Sequence, residues 1–115
     1  MRLRTTLAAA IGALALAATL STPAVAAEGP FTYRYYAEDG TLERAALIDP
    51  PSGKCITLTE VADENLPPAH TPRNYTTSAV TVHSGVNCDG ASLRLRATDG
   101  HASERLKVRS VKFVQ

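Results

Sequence analysis

Val80-Thr81-Val82-His83-Ser84-Gly85-Val86-Asn87-Cys88-Asp89-Gly90-Ala91-Ser92-Leu93-Arg94-Leu95 runs strand, turn and strand, and so decides the fold. Val80 and Val82 alternate with Thr81 and His83, the two-residue period of a strand with one buried face. Ser84-Gly85 and Asn87-Cys88-Asp89-Gly90 carry turn chemistry. Leu93 and Leu95 then alternate with Arg94 and Arg96, which places the leucines inward and the arginines outward.

The same grammar extends in both directions. Upstream, Phe31, Tyr33 and Tyr35 alternate with Thr32, Arg34 and Tyr36, and Asp39-Gly40 offers the positive-φ chemistry of a tight hairpin. A second strand runs through Leu42, Ala46 and Ile48 and stops at Pro50-Pro51-Ser52-Gly53. Residues 54–60 alternate again, with Cys55, Thr57 and Thr59 on one face and Ile56 and Leu58 on the other. From Val61 to Asn74 the pattern fails among Asp63, Glu64, Asn65, Pro67, Pro68 and Pro72, which predicts a long loop. A strand is expected from Tyr75 to His83. Downstream, Thr98-Asp99-Gly100 turns the chain into a last strand, Leu106 to Val114, whose apolar phase changes across Arg109-Ser110 and predicts a bulge. Six or seven short strands and almost no helix predict an all-β sandwich or small barrel.

The compartment is read from the first residues. Met1-Arg2-Leu3-Arg4 is basic, Leu7 to Leu20 is apolar, and Pro23-Ala24-Val25-Ala26-Ala27 is a small-residue cleavage site, together a secretory signal peptide. The cut is placed after Ala26, so residues 1–26 are expected to be removed. Of 115 residues, 89 then remain, residues 27–115, enough for one small β domain. The apolar run is too short to stay as a membrane span, and no later segment is long enough to be one. No twin-arginine pair or acylated cysteine is in place. The alanine-rich signal is of bacterial type, and the protein is expected to be secreted and extracellular. Cys55 and Cys88 are the two cysteines, and in an exported chain an even pair is expected to form a disulfide.

Charge is unevenly spread. Residues 28–66 carry eight acids and three bases, and residues 67–115 carry seven bases and three acids. Arg94, Arg96, Arg105, Lys107, Arg109 and Lys112 make a candidate basic face for an anionic polymer. The bases do not run together and are not interleaved with aromatics, so no nucleic-acid partner is expected.

Residues 80–95 resemble the first hairpin of a βγ-crystallin Greek key. His83, Cys88 and Gly90 fall at the spacing of that family's aromatic, aromatic and glycine, though only the glycine is of the family's type. Arg109-Ser110-Val111-Lys112-Phe113 is similar to the serine-bearing last strand of the same motif, where the Ser110 hydroxyl would tie down the folded hairpin. The resemblance covers residues 80–115, and residues 31–60 show no clear second copy. It implies a small Greek-key β-sandwich with no enzymatic site, in a family of lens proteins, calcium binders, protease inhibitors and toxins. The family's calcium motif lacks its acids before Ser110, and Arg73-Asn74-Tyr75-Thr76-Thr77-Ser78 has Arg73 in an acid's place. No metal or cofactor is therefore expected, calcium being disfavoured.

Catalysis finds no assembled site. His70 and His101 are expected to be exposed, and His83 near Ser84 and Asp89 lacks a nucleophile elbow. Glu38, Asp39 and Glu43 flank one turn, whereas glycosidase carboxylates face each other across a cleft. The expectation is a non-enzymatic extracellular binding or inhibitory module that presents Val61–Asn74 to a protein partner. The alternative is a cell-envelope protein that holds anionic wall polymers through the basic face. Crowded tyrosines at 33, 35 and 36 leave at least one phenol facing solvent, a platform for sugars or a protein groove.

Overall fold

The structure, a computed structural model, describes residues 26–114. The expected signal segment lies outside these residues except for Ala26. Eight strands follow in order: β1 Pro30–Tyr36, β2 Leu42–Ile48, β3 Cys55–Thr57, β4 His70–Asn74, β5 Val80–His83, β6 Ser92–Leu95, β7 Gly100–His101 and β8 Ser110–Phe113. They form two four-stranded antiparallel sheets, β2-β1-β4-β7 and β3-β8-β5-β6. Each consecutive group of four strands thus keeps its first, second and fourth strands together and gives its third to the other sheet.

The alternation in the sequence shows why the sheets pack. Phe31 and Tyr33 of β1 face inward, as do Val80 and Val82 of β5, Leu95 of β6, and Val111 and Phe113 of β8. Phe31 and Phe113, one from each sheet, meet edge to face with ring centroids 5.6 Å apart. Leu58, Val61, Ala69 and Val108 add apolar side chains from the connections. Each such burial contributes about 1.5–3 kcal/mol to a domain with little interior to spare. The chain joins this fold at its expected cut. The Ala27 N–H donates to Pro50 O at 2.9 Å, and Ala26 bridges Pro51.

The hairpin at Asp39-Gly40 forms as expected, with Gly40 at φ +85° and its N–H on Ala37 O. Several expectations need correction. The segment read as a loop from Val61 to Asn74 ends in β4, an interior strand paired with β1 on one side and β7 on the other. Pro72 is tolerated there because the register shifts between Thr32 and Arg34. Thr71, at φ +53°, and Pro72 together oppose one residue of β1, so the missing proline N–H falls at a bulge. The bulge is here and not at Arg109-Ser110, where the phase change marks the start of β8. Residues 58–60 leave the strand for a 3-10 turn at Thr59–Val61.

The fifth strand starts at Val80, since residues 74–78 are wound into a hydrogen-bonded knot. Asn74 Nδ2 donates to Ser78 O and Arg96 O, and Thr76 Oγ1 donates to Asn74 Oδ1 at 2.7 Å. Leu93, expected inward, is 45% exposed on the edge strand β6, where only Leu95 reaches the core. The two-residue β7 was not foreseen. It passes so close to β6 that a side chain at Gly100 would run into the Arg96 backbone.

Candidate functional site

The disulfide joins Cys55 to Cys88, with Cα atoms 6.0 Å apart. Around it the hairpin motif comes together. The chain from Ser84 to Ala91 folds back on itself, and Gly90, at φ +78°, leaves no room for a Cβ, which would lie 2.5 Å from Ser84 Oγ. Ser110 is fully buried opposite His83. Its hydroxyl accepts from the Cys88 N–H at 2.7 Å and donates to Gly85 O at 2.6 Å. Ser110, Cys88 and Gly90 therefore build one structural lock, and His83 lies beside it with Nδ1 buried and unpartnered.

The six cations of the candidate basic face differ in their surroundings. Arg96 is paired with Asp99 at 2.7 Å. Arg109 turns inward, and its guanidinium donates to the carbonyls of Val61, Asp63, Glu64 and Leu66, the shortest at 2.6 Å. Arg94 and Lys112 flank Thr81 on the outer side of the second sheet. Arg105 and Lys107 rim a separate concavity of about 310 Å³ with Ser84, Ala91, Ser92 and Leu106.

A different cluster is assembled on the outer face of the first sheet. Arg34 stands directly opposite Arg44 across β1 and β2, and Arg73 stands opposite Thr32 across β1 and β4. All three are exposed. Together with Thr32, Thr71 and Tyr75 they line a concavity of about 120 Å³. His101 continues the row on β7, opposite Arg73. Among the described residues, no carboxylate lies within ion-pair distance of these three guanidinium groups. Glu43 lines a neighbouring concavity with Arg34 and Arg44 but lies outside that distance, and three other acids of the same half are held elsewhere. Asp39 caps its turn through the Thr41 N–H, Asp49 accepts from the Gly29 N–H at 2.7 Å, and Glu60 accepts from the Tyr33 hydroxyl at 2.6 Å. Burial, followed by the neighbouring Glu60 carboxylate, holds the Tyr33 phenol well above the ordinary tyrosine range.

His70, expected in solvent, is 8% exposed beside this cluster. It is packed on Tyr36 with ring centroids 5.3 Å apart, and its Nδ1 is 2.8 Å from Thr71 Oγ1. Burial first and the Arg34 charge second hold its pKa below the ordinary 6.5, with Glu104 opposing. The unfolded chain therefore takes up a proton before the folded one does. The stability this neutral imidazole contributes is full above about pH 6.5 and is lost as pH falls toward the depressed folded value. Thermal melts should show the midpoint falling as pH drops below 6.5, with a shallower slope in His70→Gln. Equal slopes in the two proteins would assign the acid sensitivity to other groups.

Asn74, compared above with a place of the calcium motif, is fully buried with its amide engaged as described above. Alternation along β1 already placed Arg34 outward, and the five-residue turn sets it against Arg44. Arg73 was out of reach while β4 read as loop. No family model, curated protein or solved structure matches the chain.

Proposed function

We propose that this protein is a secreted, non-enzymatic binding domain on a βγ-crystallin-like pair of Greek keys, and that it holds an anionic extracellular polymer through the arginine face of its first sheet. The fold part of this reading is supported by the exchange of third strands between the two sheets. The serine lock under the folded hairpin also supports it. The observation that carries the function is the set of Arg34, Arg44 and Arg73 in one concavity without a carboxylate partner among the described residues. Like charges directly opposite each other destabilise a sheet, and a bound anion offsets that cost.

This keeps the chemistry of a wall-polymer binder and moves its site to residues of both halves of the chain. Retention of the mature protein on isolated cell walls should fall steeply as salt is raised from about 50 to 200 mM, because exposed charges are screened over that range. Retention that ignores salt, or none, would overturn the reading.

A second reading is favoured by the Arg109 clamp. Four carbonyls of residues 61–66 bound to one guanidinium hold the following loop in a fixed shape, as an inhibitory loop requires. Residual activity of secreted proteases in the presence of the protein tests it.

A further inference from the structure

We infer that the concavity between Arg34, Arg44 and Arg73 is a site for a phosphate or sulfate ester carried on a sugar ring. This inference rests on the anion-binding reading above and narrows it to one ligand chemistry.

The number and type of donors carry the argument. Each guanidinium presents a planar fork of N–H groups that matches two oxygens at once. A carboxylate has two oxygens, so one fork occupies it in its best geometry. A tetrahedral ester has up to three non-bridging oxygens and accepts from several forks set around it. Three arginines around one concavity of about 120 Å³ suit the second kind of group. Lysines would supply the same charge without the forks, and none lines the concavity. Thr32 and Thr71 line the same concavity, with the Thr71 hydroxyl 2.8 Å from His70 Nδ1.

The sugar is read from Tyr75. Its side chain is 51% exposed at this concavity, and its backbone N–H is anchored on Pro30 O at 3.0 Å. An exposed aromatic face held beside an anion site packs against the C–H face of a pyranose whose ester group reaches the arginines. Tyr36, 40% exposed on the same side of β1, extends the apolar margin beyond Arg34.

The test is a calorimetric titration of the mature protein with four small probes: N-acetylglucosamine 6-phosphate, N-acetylglucosamine 6-sulfate, glucuronate and inorganic phosphate. At least one of the two sugar esters should bind about tenfold or more tightly than glucuronate, and which one does so identifies the ester. Arg34→Lys and Arg73→Lys keep the charge and should each lower ester affinity about tenfold, while retention on a polyanion changes little. Tyr75→Ala should weaken the sugar esters about three- to tenfold and leave inorganic phosphate unchanged. Circular dichroism confirms that the variants, all at exposed positions, remain folded. Glucuronate bound as tightly as the esters, or lysine variants as good as wild type, would overturn this inference while leaving polyanion binding in place. Loss of polyanion retention in the unaltered protein would instead overturn the broader reading.

Discussion

Mature protein in which Cys55 and Cys88 are both serine should melt about 15–30 °C below the disulfide-bonded protein, and reduction with dithiothreitol should do the same. The bridge closes a ring across a sequence separation of 33 residues. The chain-entropy relation puts its effect near 3.7 kcal/mol, and a domain of this size loses about 4–8 °C per kcal/mol. Its position adds to the effect. β3 is a three-residue edge strand held on one side by β8, and Cys88 belongs to the hairpin that covers Ser110. Without the bridge, both are left to short ladders and to Ser110. A drop of less than about 5 °C in a calorimetric melt would show that the hairpin and β3 hold without it.

Replacing Arg109 with methionine should cost about 2–4 kcal/mol, because the part-buried carbonyls of Val61 and Leu66 lose a charged donor. The stem is retained in methionine, so the loss reports the guanidinium. The Arg109 N–H also donates to His83 O at 2.8 Å, which keeps the backbone in place when the side chain changes. The turn at Thr59–Val61 and the residues up to Leu66 should then become sensitive to limited proteolysis, while β1 and β5 stay protected. An Arg109→Lys variant should recover only part of the loss, since a point charge cannot reach carbonyls spread over residues 61–66. A stability change under about 0.5 kcal/mol would contradict the clamp.

The disulfide and Arg109 show what the sequence made legible. The disulfide followed from an even cysteine count in a chain read as exported, with no geometry needed. Strands β1 and β5 were legible because each alternates on a surface with one buried side, and β2 and β6 because turn residues bound them. β4 was not, since His70-Thr71-Pro72-Arg73-Asn74 has the composition of a loop and becomes a strand only because a bulge absorbs Pro72 between two partners. Arg109 looked like one more surface base because its carbonyl partners lie more than 40 positions away. The arginine face was hidden for the same reason: Arg34 and Arg44 sit in the acidic half of the chain and meet Arg73 only when β4 docks on β1. Local period was thus readable, and long-range pairing was not.

The most direct test of the account compares two charge reversals on one assay, salt-dependent retention of the mature protein on an anionic polymer. Arg34→Glu with Arg73→Glu removes the face of the first sheet, and Arg94→Glu with Lys112→Glu removes the same number of charges from the second. The first pair should abolish retention at physiological salt, and the second should lower it only slightly. Equal losses from the two pairs, or a larger loss from the second, would contradict the assignment of binding to the arginine face.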